Sequence, residues 1–239
     1  MTEKQLLGKK LLIFTAHPDD EIFGCGGIMH KCKRDGGEVY VLFLTVGVTQ
    51  DFSAKGQSTM EERMAEIERV MNFLQVDGHR IAFPGNEYHL RLDHVPQKDL
   101  IHEIERGEGI SLQAINPTMV LCPFPQDYNQ DHRAACTALL TAVRPQPPTF
   151  KHLQRCVLHY ELPPGGWTAT VEPAPVNFFV ELSEQDLQAK IEALKLYPSQ
   201  LKNPEGPLSV HGVTVLAQMR GTHCGTQYAE AFYCKRFLC

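Results

Sequence analysis

"LLIFTAHPDDEIFGCGGIMHKCKRDGGEVYVLFLTV", residues 11–46, sets the reading of the whole chain. Residues 10–16 form a short, almost wholly apolar run, and residues 41–46, Val-Leu-Phe-Leu-Thr-Val, form another. Continuous apolar runs of this length read as β-strands covered on both faces. Between them Asp20 to Arg34 can form a helix, and Asp35-Gly36-Gly37 ends it. The result is one βαβ unit, whose crossover is expected to be right-handed. His17, Asp19, Asp20 and Glu21 crowd the turn from the first strand into the helix.

The alternation continues beyond this unit. In residues 58–74 the apolar positions Met60, Met64, Ile67, Val70, Met71 and Leu74 keep helical spacing, with Ser58 or Thr59 as cap and Glu61 and Glu62 in the first turn. Residues 80–83 read as a short strand, 99–106 as a helix, 118–122 as a strand and 131–143 as a helix. After the proline-rich residues 144–148, strands are expected at 156–162 and 177–182. A helix capped by Ser183 follows to Leu196, and a last helix spans 210–220. The pattern predicts an α/β chain with a mostly parallel sheet. One domain over residues 1–239 is preferred, with a core at about 8–145 and an extension at 150–239.

Composition narrows the function classes. The chain has 239 residues, a formal net charge of −5, 43% hydrophobic and 21% charged residues. No Lys/Arg run marks a nucleic-acid partner. No apolar stretch reaches the ~20 residues that span a bilayer, so stable membrane insertion is not expected. Residues 1–10 carry charges and no apolar segment before a cleavage site, so no signal peptide is expected. The 8 cysteines form no C-x-x-C pair, lack the paired spacing of a cysteine-rich zinc site, and read as reduced structural thiols of a cytoplasmic protein. A homo-oligomer is compatible with all of this.

In a parallel sheet, ligands bind beyond the carboxyl ends of the strands. Two such places carry metal-type side chains: the turn after the first strand, and "PFPQDYNQDH", Pro123 to His132, after the strand at 118–122. Two histidines and a carboxylate are a common catalytic zinc set, and a neighbouring carboxylate that binds no metal can act as base. On spacing alone, "HPDDE" is equally a turn with acids placed at a helix N-terminus, and "DH" a helix cap beside a solvated histidine.

Ala16-His17-Pro18-Asp19-Asp20-Glu21 followed by Gly24-x-Gly26-Gly27 resembles the signature of the PIG-L/LmbE family of metal-dependent N-acetyl-sugar deacetylases. Arg63 and Glu66 fall where that family has an Arg-x-x-Glu helix, and "NQDHR" matches its second metal motif. "KIEALKLYPSQ" and "RGTHCGTQYAEAF" also resemble family segments. The resemblance implies a Rossmann-like three-layer sandwich with a C-terminal β/α extension. It implies that His17, Asp20 and His132 bind Zn2+ or another divalent metal, that Asp19 is the general base on the attacking water, and that Arg63 holds sugar hydroxyls. The implied reaction removes the N-acetyl group from an N-acetylglucosamine-type sugar or glycoside, giving acetate and a free amino sugar. Alternatives are a related amidase acting on a thiol conjugate or antibiotic precursor, and a non-catalytic sugar-binding member of the fold.

One position departs from the family. Many relatives have a histidine three residues before the second metal histidine, and here it is Asn129. Asparagine can donate a hydrogen bond to an oxyanion but supplies no proton at neutral pH. His223, in a glycine-bounded segment expected to be a loop, is a further candidate for catalysis. By default Glu21 serves the helix start, Gly24, Gly26 and Gly27 serve close helix–strand packing, and Tyr228, Glu230 and Arg220 are structural. Trp167 is a candidate sugar platform, and His89 and His94 are candidates for the mouth of the site.

Overall fold

A computed structural model describes residues 10–50, 55–147, 149–163, 176–201 and 204–238. The expected alternation is present. Strand β1 (Lys10–Thr15) leads into helix α1 (Asp20–Arg34) and strand β2 (Glu38–Val46). A two-residue pair, β3 (Thr49–Gln50) and β4 (Gln57–Ser58), precedes α2 (Met60–Phe73), which carries a Thr59/Glu62 capping box. Then come β5 (Gly78–Pro84), a 3-10 turn (Leu92–His94), α3 (Gln97–Arg106), the short α4 (Leu112–Ile115), β6 (Met119–Pro123) and α5 (Gln130–Ala142). The C-terminal part supplies β7 (Cys156–Tyr160), β8 (Phe178–Leu182), α6 (Glu184–Lys195), α7 (Val210–Cys224) and β9 (Tyr228–Phe237).

Seven strands form one sheet in the order β5-β2-β1-β6-β7-β9-β8. The first five are parallel, while β9 runs antiparallel to both β7 and β8. The C-terminal β/α extension therefore continues the sheet. Alternate residues of the central strands feed two apolar layers. Leu11, Ile13, Val41 and Phe43 pack toward α1 and α2, and Leu12, Phe14, Leu42 and Leu44 pack with residues of α3 and α5. Helices on both faces of a mostly parallel sheet make the three-layer α/β fold expected from the sequence.

Two details differ from expectation. Residues 228–237 form a strand that sequence reading did not assign, because the buried Glu230 interrupts its apolar face. Glu230 accepts backbone hydrogen bonds from Gly27 and Ile28 of α1, each at 2.8 Å, and pairs with Lys190 at 2.7 Å. His223 lies on the last turn of α7 rather than in a loop, since the helix runs to Cys224 and is closed by Gly225 at φ 78°. Trp167 falls outside the described residues. The glycines of α1 do serve close packing: a Cβ on Gly24 would lie 2.3 Å from the Tyr160 ring.

Candidate metal centre

Strand order reverses beside β1, between neighbours that run to β2 on one side and β6 on the other. The crevice beyond the carboxyl ends of such a pair is the open α/β sheet's natural binding place. Both motifs sit there, one after β1 and one after β6.

His17, Asp20 and His132 converge, with one candidate ligand atom from each within 4.8 Å of the others. Asp20 Oδ2 stands 3.7 Å from His17 Nδ1 and 3.3 Å from His132 Nε2. Ligands ~2 Å from a tetrahedral ion are roughly 3.3 Å apart, so these spacings suit a shared cation. All three side chains are buried. The backbone N–H of His17, at 2.9 Å, and the hydroxyl of Thr15, at 3.2 Å, donate to the same oxygen of Asp20.

Two aspartates outside this trio face its imidazoles. Asp131 Oδ2 lies 2.9 Å from His17 Nε2, while its Oδ1 accepts from the Leu92 N–H at 2.9 Å. A proton on Nε2 leaves the Nδ1 lone pair of His17 facing Asp20. Asp127 Oδ1 is 3.1 Å from His132 Nδ1 and faces the second ring as a charge partner, without an aligned hydrogen bond. Carboxylates behind ligating histidines set tautomer and basicity. Sequence reading missed both. Their only signal was acid content near "DH", which a helix cap explains equally well.

The electrostatics favour a cation. Burial opposes charge on His132, yet the nearby Asp20 and Asp127 raise it to about 10. Burial would likewise raise Asp20, but His132 and His17 outweigh it and hold the carboxyl well below its ordinary range. Neither nitrogen of His132 makes a well-aligned hydrogen bond. A buried, poorly partnered imidazole drawn toward positive charge by two carboxylates is suited to a metal ion, so the donor set fits a divalent cation.

Asp19 is set apart from Asp20. It is half-buried, precedes α1 with φ 110° and ψ −31°, and makes no side-chain cap hydrogen bond. Its backbone is pinned instead. The Asp19 N–H donates to Glu21 Oε2 at 3.0 Å, and its carbonyl accepts from Ile22 and Phe23. A non-glycine residue at this φ is held by its surroundings. Glu21 is wholly buried and also accepts the Tyr197 hydroxyl at 2.7 Å. Burial pushes its carboxyl up to about 7 against the hydrogen bonds from Tyr197 and Asp19. Glu21 thus holds the turn and leaves the Asp19 carboxylate outside the helix cap.

Arg63 is 1% exposed. It donates to the Pro18 carbonyl at 2.6 Å and to Ser199 Oγ at 3.0 Å, and Glu66 stands 3.6 Å away. Glu66 in turn accepts from the Ser199 backbone and hydroxyl. These contacts brace the turn at Pro18 and tie α2 to Ser199. Asn129 caps α5, its Oδ1 accepting from the Asp131 N–H at 2.9 Å. His89 lies against His17 with ring centroids 5.2 Å apart, and is 2.9 Å from the Thr49 hydroxyl. Burial, then His17 and Arg63, lower it to about 4. Tyr128, 50% exposed, stands at the rim. His94 is exposed and meets Asp93. His223 contacts Arg220 and Phe179, not the trio.

The PIG-L family, described as GlcNAc-PI de-N-acetylase, matches residues 12–143, more than half of the chain. A diacetylchitobiose deacetylase of Thermococcus kodakarensis is 27% identical over 93% of this chain and 81% of its own length. The solved structure of conserved protein TT1542 from Thermus thermophilus is 25% identical, covers 96% of both chains and superposes with a TM-score of 0.72. GalB, the 4-carboxy-2-hydroxymuconate hydratase of Pseudomonas putida KT2440, has a TM-score of 0.74 at 18% identity, covering 97% of this chain and 98% of its own, which is a likeness of fold alone. With the HPDDE turn and the second motif meeting at one crevice, the chain belongs to the PIG-L family of N-deacetylases.

Proposed function

We propose that this protein hydrolyses the N-acetyl group of an N-acetylglucosamine-type sugar or glycoside with the help of Zn2+ or a similar divalent metal. The observation that carries the reading is the convergence of His17, Asp20 and His132 beside a half-buried Asp19 that does not cap its own helix. A pure binding module has no need of a base in that position. The diacetylchitobiose deacetylase relative supports a small N-acetylated sugar as substrate. The buried free thiols Cys25 and Cys156 suit a reducing, cytoplasmic setting.

His17, Asp20 and His132 would hold the metal, which when bound acidifies a water and polarises the acyl oxygen. Asp19 accepts the proton of the attacking water as the oxygen adds to the acetyl carbon. The same carboxyl group then returns a proton to the departing amine, since Asn129 has none to give and His223 lies on α7 away from the trio. Asn129 spends its carbonyl on the helix cap, so its amide N–H2 is the group offered to the developing oxyanion. Arg63, Glu21 and Tyr197 keep the turn in place through Pro18 and the Asp19 N–H. Acetate release from diacetylchitobiose is the direct assay. It should disappear on chelation, return with Zn2+, and be lost in Asp19→Ala while that variant still binds metal. Full activity in Asp19→Ala overturns the assignment of the base.

A further inference from the structure

A second cluster lies between the sheet and α5, just inside the end of β6 where the second crevice turn begins. Cys122 is on β6, Cys136 on α5 and His159 on β7, and all are buried, at 0%, 0% and 1% exposure. Each offers one ligand atom within 4.8 Å of the others. His159 Nδ1 is the centre of the group: Cys122 Sγ lies 3.1 Å from it, Cys136 Sγ 3.6 Å, and the Pro123 carbonyl oxygen 3.1 Å. The ring is held by Tyr233, stacked at 5.9 Å, and by the edge of Phe124.

Nδ1 carries at most one proton, yet three electron-rich atoms face it. A cation satisfies such a group better than a proton does. Zinc ligands lie about 2.0 to 2.3 Å from the ion, so neighbouring ligands of a tetrahedral ion are roughly 3.3 to 3.8 Å apart. The observed separations fall close to that range without rearrangement. We propose that Cys122, Cys136 and His159 form a binding site for one thiophilic d10 cation of the Zn2+ class, with the Pro123 carbonyl as a fourth donor. Binding Zn2+ releases both thiol protons to solvent and leaves two thiolates, a neutral imidazole and the dication, with no net charge. A neutral centre suits the apolar layer around it. Sulfur donors separate this site chemically from the nitrogen and oxygen trio at the crevice. The two sites share α5, on which Cys136 follows His132 by about one turn. The sulfur site therefore fixes the helix that carries a ligand of the crevice site. Its full burial means that the ion enters as the chain folds.

The test is refolding of the full chain with excess Zn2+, and separately Co2+, followed by desalting, elemental analysis and absorption spectroscopy. The expected result is two equivalents in the parent protein, with a thiolate-to-cobalt charge-transfer band in the near-ultraviolet. Cys122→Ser and Cys136→Ser should each lose one equivalent and the band. His17→Ala should lose the other equivalent and keep the band, which decides the matter even if the serine variants fail to fold. A parent protein that holds one equivalent and shows the band supports this site and counts against the proposed function. A parent protein without the band, or one that holds a Cys122–Cys136 disulfide in place of the ion, overturns the proposal.

Discussion

Asp131 offers a sharp test of how the crevice is organised. It is wholly buried and joins two elements, accepting from the Leu92 N–H at 2.9 Å and holding His17 Nε2 at 2.9 Å. Asp131→Asn preserves shape but supplies only one acceptor oxygen. If that oxygen faces His17, the new amide N–H2 meets the Leu92 N–H. If it faces Leu92, the amide meets the His17 Nε2 proton. Either orientation sets donor against donor, and the second one favours the tautomer that removes the Nδ1 lone pair from the metal. Carboxylates in this position are worth about 10- to 100-fold in metal affinity, or about 1.4 to 2.7 kcal/mol. The buried unsatisfied donor costs a further ~1 to 3 kcal/mol of fold stability. Calorimetric titration of Zn2+ into the apo protein reads the first quantity, and denaturant unfolding with chelator present reads the second. A variant that loses stability but binds Zn2+ within about twofold of the parent would refute the role given to Asp131, because the affinity loss expected of such a carboxylate is at least tenfold.

Three further expectations concern separate features. Asp19→Gly relieves the positive φ that Asp19→Ala retains, so the glycine variant should be more stable by about 1 kcal/mol in denaturant unfolding while both are inactive. Glu230→Ala leaves Lys190 buried without its carboxylate partner and removes an acceptor used by two N–H groups of α1, and should cost roughly 3 to 5 kcal/mol. Asp186 is buried, but hydrogen bonds from Ser183, His30 and Arg34 outweigh that burial and lower its pKa from the ordinary 3.8. Its stabilisation is thus present above pH 3.8 and lost as pH falls through the depressed value. Asp186→Asn should unfold more easily than the parent at pH 7, and the gap should close in strong acid. An equal gap at both pH values would count against the ionised carboxylate as its source.

The β1–α1–β2 unit was legible because its strands are buried on both faces and read as unbroken apolar runs. The turns that follow β1 and β6 were legible because they place chemistry-bearing residues where a parallel sheet binds ligands. Strand β9 escaped because Glu230 is buried on an ion pair that no local pattern announces. His223 was assigned to a loop because glycines flank it, yet Gly221 packs inside α7 and only Gly225 ends the helix. The contributions of Asp127 and Asp131 depend on which imidazole nitrogen each faces, a matter of side-chain direction at the head of α5. The sulfur cluster shows the same limit. Spacing along the chain shows no paired cysteine motif, and the proximity of Cys122, Cys136 and His159 arises because the sheet unites three separate elements.

The crowd of acids around the crevice also bears on how product leaves. Asp19, Asp20, Asp127 and Asp131 together outweigh a single bound dication when the histidines are neutral. Acetate, unlike the uncharged amide it comes from, is repelled by that field. Under the proposed hydrolysis, the charges that would prepare the site for metal and water would also favour turnover by expelling the anion. Inhibition by acetate should be weak at low ionic strength and should strengthen as salt screens the repulsion; tight, salt-independent inhibition would show that the field does not govern release.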